Sequence, residues 1–143
     1  MSPDRLDEIQ TAIRRDMTVD IVTLGARSGE WRTTEIWYVL VDGRIYICGT
    51  PAAGEREREY APRDWMANLK ANPEFSFVLK ESTDEVLPAR ATVVTDADER
   101  RRVFTADATG WYRRQTGSVE ALVAEGPMVR VELLGDAADL ELG

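Results

Sequence analysis

Hydrophobic positions follow a helical spacing at the start of the chain and a strand-like alternation soon after. Leu6, Ile9 and Ile13 fall three and four residues apart, which predicts an amphipathic helix. Ser2-Pro3-Asp4 marks its start: a capping residue, a proline in the first turn, and an acid that suits the helix dipole. The helix is placed over residues 3–15. From Val19 the pattern changes. Val19, Ile21, Val22 and Leu24 form a first strand, and residues 33–41 alternate Ile36, Tyr38 and Leu40 against Glu35, Trp37 and Val39. Asp42-Gly43 is a strong two-residue hairpin turn, so residues 44–50 return as the partner strand.

Residues 51–61 read as a loop whose Glu55-Arg56-Glu57-Arg58-Glu59 run alternates in sign. The simpler reading is a solvated connection. The other is a lid whose Arg56 or Arg58 meets an anionic ligand. Pro62 opens a second helix, and Asn72-Pro73 ends it, because the residue before proline avoids helical angles. Phe75, Phe77 and Leu79 mark a strand, and residues 86–94 another. Thr95 with Asp98 resembles a capping box for a helix to about Ala108. Residues 109–124 read as a turn and a second short helix, and residues 128–134 as the last strand. The acidic tail, 136–143, is expected to fray. Short strands with helices between them predict an α+β fold, a mostly antiparallel sheet curled into a barrel, as one domain over residues 1–143.

Composition narrows the chemistry. The formal net charge of -8 excludes a broad nucleic-acid surface, which needs a basic footprint. An anionic ligand must then be held by a local basic cluster, for which Arg27, Arg32, Arg56, Arg58, Arg63 and Lys70 are available. The chain has no histidine and one cysteine, Cys48. Histidine-based nucleophile pairs, histidine zinc sites and internal disulfides are therefore out, and no metal site is expected. No segment has the pattern of a membrane span or a signal peptide, so a soluble, cytoplasmic protein is expected.

Four pieces carry possible chemistry, each with a plainer reading beside it. Gly25-Ala26-Arg27-Ser28-Gly29-Glu30-Trp31-Arg32 offers glycine-flanked backbone N–H groups and forked guanidinium donors suited to phosphate or carboxylate; taken alone, this weak spacing reads first as an ordinary hairpin turn with solvated arginines. Trp65, Leu69 and Asn72 recur at helical spacing; Trp65 and Leu69 suit a core, while Asn68 on that helix needs hydrogen-bond partners. Cys48-Gly49-Thr50 ends a strand in small residues, so a planar ring can approach its backbone. Cys48 itself reads as buried and inert. Trp111-Tyr112 either caps a pocket or packs the last helix on the barrel.

Taken in order, these pieces resemble the deazaflavin-dependent nitroreductase family, within the flavin/deazaflavin oxidoreductases. The resemblance rests on Leu24-Gly25-Ala26-Arg27-Ser28-Gly29, Arg32, the Asp42-Gly43 hairpin and Trp65-Met66-Ala67-Asn68-Leu69-Lys70-Ala71-Asn72-Pro73. It runs over roughly residues 18–135. It implies a split β-barrel shared with pyridoxamine-phosphate oxidases. It implies the 8-hydroxy-5-deazaflavin coenzyme F420, whose phosphodiester and oligoglutamate tail are anionic, and an actinobacterial-type enzyme, a homodimer by analogy. The implied cofactor contacts are Ala26, Arg27, Ser28, Arg32, Thr33, Thr34, Cys48, Gly49, Thr50, Trp65, Met66 and Asn68. Trp111, Tyr112 and Tyr38 stand for the substrate side, with Tyr112 or Thr50, or else solvent, as proton source. Two departures stand out. Relatives often carry a second basic residue where this chain has Ala26, and Lys-Gly-Gly where it has Pro51-Ala52-Ala53. The polar N-terminus also lacks the apolar helix with which some relatives meet membranes, so no stable membrane association is expected.

The expected activity is hydride transfer from the reduced deazaflavin to a small molecule: a conjugated ester or lactone of the coumarin kind, a nitro group or a quinone. Two rivals remain at this level. One keeps the fold and binds flavin mononucleotide through the same arginines. The other is a non-enzymatic carrier of the deazaflavin.

Overall fold

The computed structural model describes residues 1–51 and 64–143. The expected loop over 51–61, with its possible lid arginines Arg56 and Arg58, lies outside the described residues except at Pro51, as do Arg63 and the helix start at Pro62. Among the described residues, seven strands form one antiparallel sheet in the order β2-β1-β5-β6-β7-β4-β3. They are β1 (Thr18–Leu24), β2 (Trp31–Trp37), β3 (Val39–Val41), β4 (Arg44–Cys48), β5 (Glu74–Leu79), β6 (Glu85–Val93) and β7 (Met128–Leu133). The described helices are α1 (Pro3–Arg15), α2 (Asp64–Ala71), α3 (Ala97–Phe104), α4 (Gly110–Thr116) and α5 (Val119–Glu125).

The order of strands dictates the curl. β2 and β3 lie at opposite ends of the order, yet only Tyr38 separates them in sequence. One residue spans about 7 Å at most, so the two sheet edges must come together. Tyr38 is the pin at that seam. Its N–H donates to Met17 O at 3.0 Å, its hydroxyl donates to Ile13 O at 2.7 Å, and its ring meets Phe77 edge-on at 5.3 Å. Tyr38 is 4 % exposed. Tyr38, expected on the substrate side, is thus a core residue whose hydroxyl is used within the fold.

Two cores follow. Alternate residues of β1, β5, β6 and β7 fill the curl with Val19, Ile21, Phe77, Leu87 and Val131, against Ile9 and Ile13 of α1. The other face of β4 carries Tyr46 and Cys48 into a second core with Phe104, Tyr112, Leu122 and Met128 beneath α3, α4 and α5. β4 is thus covered on both faces, which explains its nearly continuous apolar run. The Asp42-Gly43 hairpin turn has positive φ at both residues, 53° and 75°, as a type I′ turn requires.

Three local expectations shift. The cap of α3 is Asp96, one residue later than expected; its carboxylate accepts from the Glu99 N–H at 2.8 Å. Residues 109–124 hold two helices, because Ser118 caps α5 through the Ala121 N–H at 3.1 Å. The acidic tail docks. Leu140 and Leu142 pack on the first core, and Arg14 donates to Glu141 O at 2.8 Å. Apolar residues interleaved among the tail's acids outweigh its charge.

Candidate functional site

Antiparallel alternation gathers one set of strand ends. The C-terminal ends of β1, β4 and β6 and the N-terminal ends of β2, β5 and β7 share one rim of the barrel. Backbone bonds stitch this rim together: Gly49 N–H to Pro127 O at 3.0 Å, Val94 N–H to Met128 O at 3.1 Å, and Ala91 N–H to Pro73 O at 2.9 Å. The glycine-arginine turn, the exit of β4 at Gly49-Thr50 and the end of α2 therefore lie along one rim, although they are distant in sequence.

The turn between β1 and β2 is a single helical turn. Gly29 N–H donates to Gly25 O at 3.1 Å, Gly25 N–H to Glu30 O at 2.8 Å, and Glu30 N–H to Ser28 Oγ at 3.1 Å. Gly29 supplies the positive φ, 68°, that turns the chain back into β2. One helical turn leaves its first N–H groups unmet. Ala26 N–H is met by Asn68 Oδ1 at 2.8 Å. The N–H groups of Arg27 and Ser28 have no partner among the described residues, and both residues are exposed beside the exposed Arg32. Two outward amides and two guanidinium groups make a donor set suited to an anion.

α2 explains its own motif. Trp65 and Leu69, 6 % and 2 % exposed, enter the first core. Asn68 and Asn72 face β1. Asn68 Nδ2 donates to Thr23 Oγ1 at 3.3 Å, and Asn72 Nδ2 donates to Leu24 O at 3.4 Å. Trp65 is thus a core residue. Met66 packs partly on the core and lines a cleft of about 460 Å³ at the same rim, with Lys70, Val93, Thr95, Pro127 and Met128. A second cleft, about 390 Å³, lies against Leu24, Trp31, Pro73 and Arg90. A third, about 350 Å³, sits under the C-terminal tail and shares no residue with these two.

The β1–β2 register separates the expected strand contacts. Arg32 and Thr34 pair with Thr23 and Ile21, whose side chains point into the curl; Thr33 pairs with Val22 and faces outward with Trp31 and Trp37. Arg32 and Thr34 therefore share a face, and Thr33 lies on the other. Gly49 lies at the rim, and Thr50 is buried beside it.

Cys48 and Tyr112 are buried in the second core. Burial pushes the Cys48 thiol up to about 12, so it is a neutral, unreactive thiol at neutral pH. Burial, and secondarily the Cys48 thiolate, raises the Tyr112 hydroxyl above its ordinary value, which weakens it as an acid. Trp111 remains 41 % exposed, and the structure pairs it with a residue that sequence reasoning had not placed in the site. Trp37, 45 % exposed, meets Trp111 edge-on at 5.6 Å, and Trp111 meets Tyr112 at 5.2 Å. The available signal was a tryptophan at an outward, polar position of β2.

A structural search finds Rv2991 of Mycobacterium tuberculosis at a TM-score of 0.56 and 21 % identity, covering 91 % of this chain and 79 % of that one. A protein related to general stress protein 26, of the pyridoxinephosphate oxidase family, from Clostridium acetobutylicum is similar at a TM-score of 0.65 and 11 % identity, covering 96 % and 92 %. A FAD-binding protein from Mesorhizobium loti gives 0.57 and 16 %, covering 94 % and 91 %. At such identities these likenesses establish the fold. No curated protein sequence matches the chain. The model of the F420H(2)-dependent quinone reductase family matches residues 8–133, and the chain, folded as a split barrel, belongs to that family of oxidoreductases.

Proposed function

We propose that this protein binds coenzyme F420 at the barrel rim and reduces small, electron-poor acceptors, with quinones as the first class and nitro groups and conjugated lactones as further ones. The observation that carries this reading is the turn at residues 25–32, where a strongly acidic protein exposes two arginines beside two amides that no described residue meets. The donor set fits a phosphodiester: Arg27, Arg32 and the amides of Arg27 and Ser28 would hold it. Gly49, Thr50 and Met66 would border the ring, and Lys70 lies at the lip of the adjoining cleft. When bound, the reduced deazaflavin supplies a hydride.

The chain's own part is to position and to exclude water. Trp37 and Trp111 offer an aromatic wall on which a flat acceptor would stack. Proton delivery in this reading falls to solvent. The chain has no histidine, and burial raises both Cys48 and Tyr112. Tyr112→Phe should therefore leave turnover largely intact. The test is consumption of the reduced deazaflavin with a quinone, a nitroaromatic and a conjugated lactone. Turnover of the quinone supports the proposal; binding without turnover on all three would favour a carrier.

A second reading keeps the site and changes the ring. The turn recognises an anion and contains nothing specific to deazaflavin, so flavin mononucleotide is the competing ligand. The homodimer implied by the family resemblance is retained as part of the proposal. Trp31, 64 % exposed on the outward face of β2, is available for such a contact.

A further inference from the structure

The anion-binding turn is held in shape from behind by groups that are themselves sealed from solvent. Asn68 is 5 % exposed and Thr23 is fully buried. Both ends of the Asn68 carboxamide are engaged by protein: Oδ1 accepts from Ala26 N–H at 2.8 Å, and Nδ2 donates to Thr23 Oγ1 at 3.3 Å. Ala26 immediately precedes the two unmet amides of Arg27 and Ser28. Thr23 stands directly opposite Arg32 in the β1–β2 register. One buried carboxamide thus links the start of the turn to the strand that carries its second arginine. Asn72 adds a weaker tie at Leu24 O, 3.4 Å away.

We propose that Thr23 and Asn68 are positioning residues, which set anion affinity by fixing the turn and do so without touching the ligand. This rests on the reading that the turn holds the cofactor's phosphodiester. It also assigns the carboxamide of Asn68 a different task from the direct cofactor contact that the family resemblance implies. The physical argument is pre-organisation. An α-turn of this length is unstable alone, and two amides aim at one anion only while the turn persists. Removing the Thr23 hydroxyl leaves a buried N–H of Asn68 without its acceptor, which costs more than the bond itself. The carboxamide must then reorient, and Ala26 N–H loses its partner.

The test uses four proteins: wild type, Thr23→Val, Thr23→Ser, and Ile21→Val as a control on the same buried strand face. Two quantities are read: amide exchange at Ala26 by NMR without ligand, and affinity for F420. Thr23→Val should speed Ala26 exchange and weaken F420 binding, each about tenfold, the size of one neutral hydrogen bond. Thr23→Ser should restore both, and Ile21→Val should change neither. Wild-type exchange at Ala26 in Thr23→Val overturns the proposal, as does an equal loss of affinity in Ile21→Val. If wild type does not bind F420, the functional reading fails, while exchange at Ala26 still decides whether Thr23 holds the turn.

Discussion

Arg32 and Thr23 face each other across the β1–β2 ladder and do different work. Thr23 is fully buried and holds Asn68, while Arg32, opposite it at the rim, is exposed. An exposed arginine in a site for an anion should be removable without harm to the fold. Arg32→Ala is expected to weaken F420 binding about ten- to a hundredfold, the scale of a charge-assisted hydrogen bond, with an unchanged melting temperature. Unaltered affinity in a titration would remove Arg32 from the site. Residue type drew attention to the arginines of the turn, although the sequence there reads first as a turn with solvated arginines. The fates of Tyr112 and Tyr38 were less legible. Each depends on which face of which strand or helix is covered, and α3, α4 and α5 cover the outer face of β4 only in the folded chain.

At the scale of elements, local chemistry was readable where a residue acts on its neighbours. The start of α1, the Asp42-Gly43 turn and the stop at Asn72-Pro73 are as the sequence predicts. The cap of α3 was misread by one residue because Thr95 and Asp96 are both good caps, and the choice is made by which side chain reaches the Glu99 N–H. Asp96→Ala should accordingly destabilise the fold by about 1 kcal/mol, measured by urea unfolding; no change would mean that Thr95 substitutes as the cap. The motif on α2 could be seen but not explained from sequence. Its two asparagines bond to β1 across a separation of more than forty residues, and no local rule supplies that partner.

At the scale of the molecule, barrel closure turns on Tyr38, and the helices over β4 are latched by one buried acid. Glu99 accepts from the Tyr46 hydroxyl at 2.7 Å and from Arg130 at 2.9 and 3.0 Å. Burial alone would raise its carboxyl, but the bonds from Tyr46 and Arg130 outweigh this and hold it below its ordinary value of 4.5. A folded value below the unfolded one stabilises the protein above about 4.5, and that contribution is lost as pH falls through the folded value. Glu99→Gln should therefore lower the melting temperature at pH 7 by on the order of 5 °C, with the gap from wild type narrowing below pH 4.5. A gap independent of pH would remove Glu99 as the titrating latch. The general architecture was legible because strand alternation and turn residues are local. The tail was not, since its docking depends on Leu140 and Leu142 finding the first core. The central claim is that the rim binds a deazaflavin, and tryptophan fluorescence tests it most directly, with Trp31, Trp37, Trp65 and Trp111 as reporters. Titration with oxidised F420 and, separately, with flavin mononucleotide should give micromolar or tighter binding of F420 and much weaker binding of the flavin. Preference for flavin mononucleotide, or binding of neither, would contradict the account.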